Sequence, residues 1–482
     1  MAIFSPQVMI YDSLSGKKIP VPNKKGHVGI YVCGLTVYDN MHLGHARLFV
    51  VFDVLRRLLR NSGYQVTYVQ NFTDVDDKVI NRARELRTSY AEVAKQYIES
   101  YFKDADSLNI TRADIYPRAS EHIQEIIELI KAIERKGSAY KTENGVYFRV
   151  SSFPNYGKLS HQSTENLRAG ARVEVDPQKE DPLDFSLWKF HKDDPYEPAW
   201  DSPWGKGRPG WHIECSAMSM KYLGETIDVH GGGQDLIFPH HENEIAQSET
   251  ATGKLFARAW VHVGLLSVGG EKMAKSLKNF TTVKDALSKW GPDAVRLFLL
   301  SSHYRSPLPF SEDAMNSSAK QWIQIEQLVA EALHHGTRET PPEDAQQLSK
   351  AAQEATSSFA RHVSDDLSTQ LAISDLMSFA ATAKRIIGKL DGLTEALAQD
   401  VLRALQPAED VLGLRFPQPL DELEGVVQRR FELRKNGQFE EADNIRNQLA
   451  QGNVVLVDHR DHTIWFRSSV PDAHKYLTIN KS

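Results

Sequence analysis

The stretch HVGIYVCGLTVYDNMHLGHARLFVVFDVLRRLLRNSGYQVTYVQNF, residues 27–72, decides the fold of this chain. It opens with HVGIYVCG, a run rich in β-branched and aromatic residues that predicts a strand. A helix follows, because apolar side chains recur close to the helical period at Leu48, Val51, Leu55 and Leu58. QVTYVQNF then predicts a second strand. A strand–helix–strand unit of this length is a parallel crossover, the building block of a Rossmann-like sheet.

The ends of the crossover helix carry residues typical of helix termini. Asp39 or Asn40 can cap its N-terminus, since a short polar side chain accepts a hydrogen bond from a free amide of the first turn. Gly63 fits just past its C-terminus. The string HLGH (42–45) lies at the start of this helix, where free N–H groups and the helix dipole favour an anion such as phosphate.

Three residues of HLGH could act on such an anion. Gly44 would let a ligand come close to the backbone. His42 and His45 are three residues apart, so they share a helix face and could both donate to phosphate oxygens. Two solvent-exposed histidines at a helix start are the alternative.

Two strings further along the chain could also contact a nucleotide. In EKMAKS (271–276), Lys272 and Lys275 could lie on a loop that closes on a triphosphate; a solvated surface loop is the alternative. HGGGQD (230–235) follows a predicted strand, and its glycines would let a planar group or a sugar lie against the backbone. A turn that merely needs positive φ is the alternative there.

The composition is that of an ordinary soluble globular protein, with 41% hydrophobic and 25% charged residues. A chain of 482 residues is too long for one compact core, so we expect several domains. No apolar run approaches the ~20 residues that span a bilayer, and MAIFSPQVMIYD lacks the features of a signal peptide, so we expect a cytoplasmic protein. The net charge of −6 argues against a protein that coats nucleic acid non-specifically, although a local basic face stays possible.

The whole chain predicts an α/β fold: a Rossmann-like parallel-sheet domain with an insertion, followed by an α-helical bundle domain and a small mixed α/β C-terminal domain. Asn144-Gly145 between two β-rich runs predicts a hairpin at the start of the insertion. Strands are expected within 226–238 and 259–268, and the pattern from about Ser311 is almost entirely helical. The predicted boundaries are 1–138 and 206–270 for the two halves of the sheet domain, 139–205 for the insertion, 271–335 for a loop and helical region, 343–415 for the bundle and 420–482 for the C-terminal domain, with linkers in 336–344 and 416–422.

PHHENE (239–244) packs two histidines and two glutamates into one short string. It can be a helix N-terminus, where glutamates favour the dipole, or part of a metal site. His240 and Glu244 lie four residues apart, so both would project from one helix face as half a tetrahedral zinc site. The two cysteines of the chain, Cys33 and Cys215, are either buried inert thiols or two further ligands; a disulfide is not expected in a cytoplasmic chain.

The order of these strings along the chain resembles that of a known enzyme class. HLGH and KMAKS are similar to the HIGH and KMSKS signatures of class I aminoacyl-tRNA synthetases. The strings between and around them resemble the cysteinyl-tRNA synthetase family, block after block: YVCGLTVYDNMHLGHAR, NFTDVDDKVINRA, PLDFSLWK, GRPGWHIECSAM and HGGGQDLIFPHHENEIAQ. The resemblance is dense over roughly residues 8 to 310 and looser through HYRSPLPFSED and RKNGQFEEADNIRNQL.

The resemblance implies a zinc ion in the amino-acid pocket, with ligands at Cys33, Cys215, His240 and Glu244. His241 and Glu242 would then be structural or support the ligands. Two thiolates, one imidazole and one carboxylate suit tetrahedral Zn²⁺. A metal that binds the substrate as a thiolate would separate cysteine from serine by more than the ~1–3 kcal/mol that an apolar pocket offers for a small group.

The resemblance also implies residues for each small substrate. The side chains expected around cysteine are Thr73, Trp211 and His230. The residues expected to bind ATP, with Mg²⁺ on its phosphates, are His42, Gly44, His45, Gly231, Gly232, Asp235 and Lys275. The residues expected to stabilise charge during activation are His42, His45, Lys272 and Lys275.

The implied reaction has two steps. The carboxylate of L-cysteine attacks the α-phosphate of ATP, which releases pyrophosphate and leaves cysteinyl-adenylate; the terminal ribose hydroxyl of tRNA(Cys) then takes the cysteinyl group. Positioning and charge stabilisation can carry the first step without a protein nucleophile. By the same resemblance, 271–335 would contact the tRNA stem, 343–415 would bind tRNA, 420–482 would bind the anticodon, and the chain would act as a monomer.

Departures from the family pattern and rival functions leave alternatives. Ala274 and Lys278 replace a serine and a glycine of the family loop, which could alter loop closure and its rate, and DDLSTQ (365–370) replaces a DDFNTP-like string. A ligase that joins cysteine to an amino-sugar shares the catalytic core, but predicts a shorter chain without the tRNA-binding tail. A tRNA- or metal-binding paralogue without catalysis predicts the loss of signature residues that are intact here.

Overall fold

The computed structural model describes residues 7–170, 178–273, 277, 279–335, 341–390 and 392–476. Its strands are β1 (Met9–Asp12), β2 (Lys17–Pro20), β3 (His27–Thr36), β4 (Gln65–Thr73), β5 (Ala139–Lys141), β6 (Gly145–Phe148), β7 (Phe185–Phe190), β8 (Gly207–Pro209), β9 (Ile227–Gly233), β10 (Ala257–Val263), β11 (Leu266–Val268), β12 (Glu271–Lys272), β13 (Leu308–Phe310), β14 (Val454–Asp458) and β15 (Thr463–Arg467). Its α-helices are α1 (Leu43–Asn61), α2 (Asp77–Leu86), α3 (Tyr90–Ser107), α4 (Ile123–Arg135), α5 (Thr164–Gly170), α6 (Trp211–Leu223), α7 (Glu242–Thr252), α8 (Val283–Trp290), α9 (Pro292–Leu299), α10 (Glu312–Leu333), α11 (Pro342–Ser364), α12 (Thr369–Leu390), α13 (Glu395–Asp410), α14 (Glu424–Lys435) and α15 (Phe439–Gln451).

The central sheet has four parallel strands in the order β10–β9–β3–β4. The predicted crossover is formed by β3, α1 and β4, which confirms the Rossmann-like parallel sheet. From β3 the sheet grows to β4 on one side and to β9 and β10 on the other. The strand order therefore reverses between β3 and β9, and open α/β sheets bind ligands at the carboxyl ends of the strands beside such a point.

The N-terminus of α1 is capped by His42, so the prediction of Asp39 or Asn40 as the cap is wrong. The Nδ1 atom of His42 accepts from the amides of Gly44 at 3.1 Å and of His45 at 3.4 Å. The carboxylate of Asp39 accepts from the amide of Asn40 instead, at 2.8 Å. The imidazole thus satisfies two of the amides that a helix start leaves without partners.

The insertion forms a separate antiparallel sheet in the order β5–β6–β7–β8. The hairpin predicted at Asn144-Gly145 is the β5–β6 pair. Buried residues of this sheet pack with α4 and α6 in a hydrophobic core distinct from that of the central sheet. The sheet extends through β8 to Pro209, and the domain boundaries along the chain stay predictions.

The single strand predicted within 259–268 is two strands, β10 and β11, because the chain leaves the central sheet after β10. Strand β11 pairs in parallel with β13 and antiparallel with β12. The amide of Gly264 donates to the carbonyl of Tyr304 at 2.7 Å, and a Cβ at Gly264 would lie 2.4 Å from the carbonyl oxygen of Ser306. The break thus brings the segment after α9 against the strand that leads into KMAKS.

From α10 onward the chain is helical until the final hairpin, as predicted. Helices α10 to α13 pack against one another, and their buried residues continue the hydrophobic core of the central sheet. The α14–α15 pair packs beside β14 and β15, where the buried guanidinium of Arg430 donates to Asp458. The predicted linker at 336–344 lies partly outside the described residues, and α11 already begins at Pro342. Within the described part of the chain, no helix combines the length and the apolar character that crossing a membrane requires.

Helix α1 packs closely against the sheet at Gly231 of β9. A Cβ at this position would lie 2.0 Å from Cζ of Phe52, whose ring is fully buried and has no room to move. The φ of Gly231 is not positive. The glycine therefore serves the close packing of helix on strand, a role that glycine also has in other Rossmann-like folds.

We predict that Gly231→Ala lowers the free energy of unfolding by about 1–3 kcal/mol, because the added methyl group must displace Phe52. Calorimetry of the unfolding transition measures the change. The control is Gly388→Ala in α12, where a Cβ would meet nothing within 4 Å and alanine is the better helix former. Equal stability of the two variants would contradict the packing explanation.

Candidate active site and metal centre

Cys33 reaches the site from an irregular part of β3. Cys33 lies inside β3 rather than at its end. The register between β3 and β4 shifts between Val32 and Leu35, on either side of this cysteine. The amide of Gly34 donates to Oδ1 of Asn71 at 2.8 Å instead of joining the ladder. Irregularities of this kind re-aim side chains at functional sites.

Three further donors reach the same point from α6 and α7. Cys215 lies in α6, Glu244 in α7, and His240 in the helical turn just before α7. The Sγ atom of Cys33 lies 3.8 Å from Sγ of Cys215 and 3.5 Å from Oε1 of Glu244. The Nε2 atom of His240 lies 3.1 Å from the same oxygen, and all four side chains are buried. PHHENE is thus a helix start, as predicted, and its turn brings two candidate ligands to one face.

The buried cluster favours the anionic forms of Cys215 and Glu244, whereas burial raises the pKa of the Cys33 thiol well above its ordinary value. A hydrogen bond from Cys33 lowers the pKa of Cys215 to about 6, against the effect of burial. Burial raises the pKa of Glu244, but His230 and His240 outweigh it and bring that pKa down to about 2. Burial lowers the pKa of His240, but Glu244 and Cys215 outweigh it and raise that pKa to about 10. An imidazolium therefore balances a thiolate and a carboxylate, and a metal that binds the imidazole would take the place of its proton.

The two donor separations measured from Cys33 match those of a tetrahedral zinc site. With Zn–S bonds of about 2.3 Å and Zn–O bonds of about 2.0 Å, a tetrahedron places two sulfurs about 3.8 Å apart and a sulfur and an oxygen about 3.5 Å apart. Those are the separations of Cys33 Sγ from Cys215 Sγ, 3.8 Å, and from Glu244 Oε1, 3.5 Å. All four donor atoms lie within 4.8 Å of one another.

A second set of four donors overlaps the first and comprises Cys33, His230, His241 and Glu244. A hydrogen bond engages one ring nitrogen of each histidine of this set, while Nδ1 of His230 and Nε2 of His241 are buried without a hydrogen-bond partner among the described residues. The Nε2 atom of His230 lies 2.8 Å from Oε2 of Glu244, and Nδ1 of His241 lies 2.8 Å from Nε2 of His262. His230 therefore orients the carboxylate so that Oε1 faces the thiols, as supporting residues do around protein metal sites.

His212 is a part of this site that the sequence analysis missed. Its Nδ1 atom lies 2.9 Å from Nδ1 of His240. Burial lowers the pKa of His212 well below its ordinary value, so the ring is neutral and its Nδ1 can accept a hydrogen bond from the Nδ1–H of His240. That bond keeps Nε2 of His240 available to the thiols. The sequence signal was the spacing to Cys215, three residues later on the same face of α6.

The side chains implied to surround cysteine lie in three different elements. Trp211 begins α6, and its ring centroid lies 4.3 Å from that of His240, while 39% of the residue stays exposed. His230 is buried in β9 and bonded to the cluster, and Thr73 ends β4. A cavity of about 520 Å³ is lined by Trp211 and His212 together with residues of β7 and of the loop after β4. Trp211 therefore separates the buried cluster from open space.

The HLGH residues share a face, as predicted, since the rings of His42 and His45 stack with centroids 3.6 Å apart. The amides of Gly44 and His45 are bonded to His42 Nδ1, so an anion would reach them only by displacing that ring. Because His42 accepts through Nδ1, its Nε2–H is the donor it can offer to a ligand. Gly44 also has a packing reason to be glycine, since a Cβ there would lie 2.9 Å from His42 Cε1.

The HGGGQD and KMAKS strings meet at an ion pair between Lys272 Nζ and Asp235 Oδ2, 2.6 Å apart. Both side chains are more than two-fifths exposed, so a ligand can reach them. Gly231 and Gly232 lie within β9 without positive φ, so the alternative of a turn that needs positive φ is wrong. The predicted residues that lie outside the described part of the chain are Ala274, Lys275 and Lys278.

Known sequences match this chain over nearly its whole length. Residues 19–320 match the family of tRNA synthetases class I (C), catalytic domain. The cysteine–tRNA ligase of Geobacillus thermodenitrificans is 46% identical over 468 residues, which cover 96% of this chain and 99% of the relative. The cysteine–tRNA ligase of Legionella pneumophila is 47% identical over 468 residues, with coverage of 95% and 99%.

Solved structures of class I synthetases share the fold. Methionyl-tRNA synthetase of Mycobacterium tuberculosis, in complex with methionyl-adenylate, has a TM-score of 0.61 and 16% identity over 80% of this chain and 92% of its own. A putative arginyl-tRNA synthetase of Campylobacter jejuni has a TM-score of 0.55 and 12% identity over 83% and 95%. These structures establish the fold, and the sequence matches establish the branch: the chain belongs to the cysteine–tRNA ligases, within the class I aminoacyl-tRNA synthetases.

Proposed function

We propose that Cys33, Cys215, His240 and Glu244 hold a zinc ion that selects the thiol of L-cysteine during the charging of tRNA(Cys). The observation that carries the proposal is the buried donor set at the reversal point of the sheet. Two cysteines 182 residues apart in the sequence meet there at 3.8 Å, with an imidazole and a carboxylate completing the set. Zinc, when bound, would supply a soft Lewis acid that favours a thiolate over a hydroxyl.

The chain's own residues shape that selection. His230 fixes one oxygen of Glu244, and His212 fixes the tautomer of His240, so the donor atoms are held before a substrate arrives. Trp211 covers the cluster from the solvent side. Serine would meet the same site with a hydroxyl, which does not ionise readily, so size alone need not separate the two amino acids.

ATP belongs, in this proposal, beside the stacked rings of His42 and His45. Gly231, Gly232 and Asp235 would face the adenosine. Asp235 and Lys272 pair in the structure, and a nucleotide that engages Asp235 would release the ammonium of Lys272 toward the phosphates. Lys272 and Lys275, with Mg²⁺ on the phosphates, would then neutralise charge as cysteinyl-adenylate and pyrophosphate form.

The helical bundle and the C-terminal domain are the proposed contacts for tRNA(Cys). Not every basic residue of the C-terminal domain is available to the nucleic acid, since Arg430, Arg434 and Arg446 surround Asp458. Some cations of this domain therefore stabilise the protein by pairing with Asp458, and the others are left to contact the tRNA. A monomeric state and a cytoplasmic location stay predictions.

The complete activity predicts cysteine-dependent ATP–pyrophosphate exchange, followed by attachment of cysteine to tRNA(Cys). Radiolabelled pyrophosphate and a charged-tRNA assay measure the two steps separately. Exchange without charging would favour a cysteine:amino-sugar ligase over the proposal. Neither activity in a zinc-loaded protein would favour a binding paralogue.

The zinc site predicts different outcomes for two neighbouring histidines. His240→Asn and His241→Asn each keep a donor close to the Nδ1 position and remove Nε2, so the pair is matched. We expect His240→Asn to weaken zinc binding by at least about 10–100-fold and His241→Asn to retain the metal. Elemental analysis and competition with a chelator measure both. Loss of zinc in His241→Asn alone would instead assign the metal to the second donor set.

The role of Lys272 predicts a loss of rate without a loss of metal. Lys272→Met should lower the exchange rate by about 10²–10³-fold, the scale for removing one donor that stabilises developing charge. Zinc content should not change, because Lys272 pairs with Asp235 and not with the cluster. Lys254→Met, which removes an exposed lysine paired with Glu225, is the matched control. Similar rates in the two variants would contradict the assignment.

A further inference from the structure

The turn between α11 and α12 contains a buried carboxylate, Asp366, that no step described above uses. The turn is the DDLSTQ string (365–370), in which Asp366 is 0% and Leu367 is 1% exposed. Both residues have positive φ, 58° and 49°. Residues other than glycine seldom adopt this left-handed region, so the surrounding structure must hold the turn in place.

Two parts of the chain contact Asp366 in this turn. The Tyr304 hydroxyl donates to Oδ1 at 2.7 Å, and the guanidinium of Arg305 donates to Oδ2 at 3.0 and 2.8 Å. The amide of Tyr11 in β1 donates to Oδ1 at 2.8 Å, and the amide of Asp366 donates to the carbonyl of Met9 at 3.0 Å. The residue thus joins the helical bundle to β1 and to residues 303–306.

Residues 303–306 lead from this carboxylate to two of the nucleotide-side strings. The carbonyl of His303 accepts from Arg47, which follows HLGH in α1, at 3.1 Å. The carbonyl of Arg305 accepts from the side-chain amide of Gln234, within HGGGQD, at 2.8 Å. Arg305 therefore contacts the carboxylate of Asp366 with its side chain and HGGGQD with its backbone carbonyl.

The same segment also contacts the strand that leads into KMAKS. The carbonyl of Tyr304 accepts from the amide of Gly264 at 2.7 Å, where the chain passes from β10 to β11. The fully buried guanidinium of Arg47 donates to the carbonyls of Gly264 at 2.8 Å and Leu265 at 3.3 Å. Residues 303–306 are therefore hydrogen-bonded to HGGGQD itself, to α1 just after HLGH, and to the chain at Gly264 that leads through β11 toward KMAKS.

We propose that Asp366 is a positioning residue for ATP. By holding Tyr304 and Arg305 it fixes residues 303–306, and these fix the HLGH helix and the HGGGQD string relative to each other. The inference rests on the proposed nucleotide site. Asp366 contacts none of the described residues assigned to substrates, so it acts through the segment and is not catalytic. Its place in the predicted tRNA-binding bundle makes it a physical connection between that bundle and the site of adenylate formation.

The test is Asp366→Asn in the full chain, assayed by cysteine-dependent pyrophosphate exchange without tRNA. The asparagine keeps the size of the side chain but removes the charge that pairs with Arg305. We expect the KM for ATP to rise between about tenfold and a hundredfold, the scale for a small displacement of positioning groups. The KM for cysteine and the zinc content should stay unchanged, because the thiol cluster has no contact with residues 303–306.

Two further variants complete the test. Tyr304→Phe removes one donor to the carboxylate and should raise the KM for ATP less, in the same direction; it serves also if Asp366→Asn fails to fold. Asp365→Asn, which removes an exposed partner of Lys18, should leave the KM for ATP unchanged. A lower melting temperature with an unchanged KM for ATP in both test variants would overturn the proposal and leave a structural role.

The failure of this inference can be told apart from that of the proposed nucleotide site. His45→Ala alters a residue assigned to ATP itself, so it should raise the KM for ATP whatever Asp366 does. If His45→Ala raises that KM and neither Asp366→Asn nor Tyr304→Phe does, the positioning role alone is overturned. If all three variants keep the KM of the unmodified enzyme, the nucleotide site is overturned and the inference with it.

Discussion

The buried carboxylate of Glu244 is the interaction on which the rest of the site depends. One oxygen lies 3.5 Å from the Cys33 thiol and 3.1 Å from His240, and the other lies 2.8 Å from His230. A buried charge is costly unless it is paired, so α7 can pack here only where β3 and β9 supply those partners. Helix α7 therefore lies beside β3 and β9, the two strands between which the strand order reverses. The candidate metal site forms beside the same two strands, because Cys33 comes from β3 and the supporting His230 from β9.

Helix α7 also explains why the insertion lies where it does. Glu242 points away from the cluster and accepts the amides of Leu159 at 3.1 Å and Ser160 at 2.9 Å, so it is structural, as the resemblance implied. The start of one helix therefore supplies two candidate ligands and a contact that holds the insertion. The insertion in turn lines the cavity beside Trp211. The short string PHHENE thus supplies two of the four candidate ligands and the contact that holds the insertion in place.

The sequence predicts the parts of this structure that depend on local pattern. The β3–α1–β4 crossover has a clear periodicity and is confirmed, whereas PHHENE alone is compatible with either a helix start or a metal site. The cap of α1 was wrong because the capping group is the His42 imidazole, a choice that depends on how the ring folds back over its own turn. The spacing of His212 to Cys215 was the only sequence signal for its role, and Asp366 could not be found from pattern, since their partners lie 28 and 61–62 residues away or further. The resemblance to the family identifies the candidate metal ligands from the sequence. The contacts that support those ligands can be identified only in the folded structure.

In the proposed function, a metal held by both cysteines receives the thiol of the substrate. X-ray absorption at the zinc edge measures the sulfur atoms bound to the metal in the enzyme with and without L-cysteine. We predict that the zinc ion has two sulfur neighbours at about 2.3 Å in the free enzyme. Addition of L-cysteine should add a third sulfur neighbour, and addition of L-serine should change nothing. One sulfur neighbour in the free enzyme would contradict the pairing of Cys33 with Cys215. An unchanged count with saturating L-cysteine would contradict selection of the thiol by the metal.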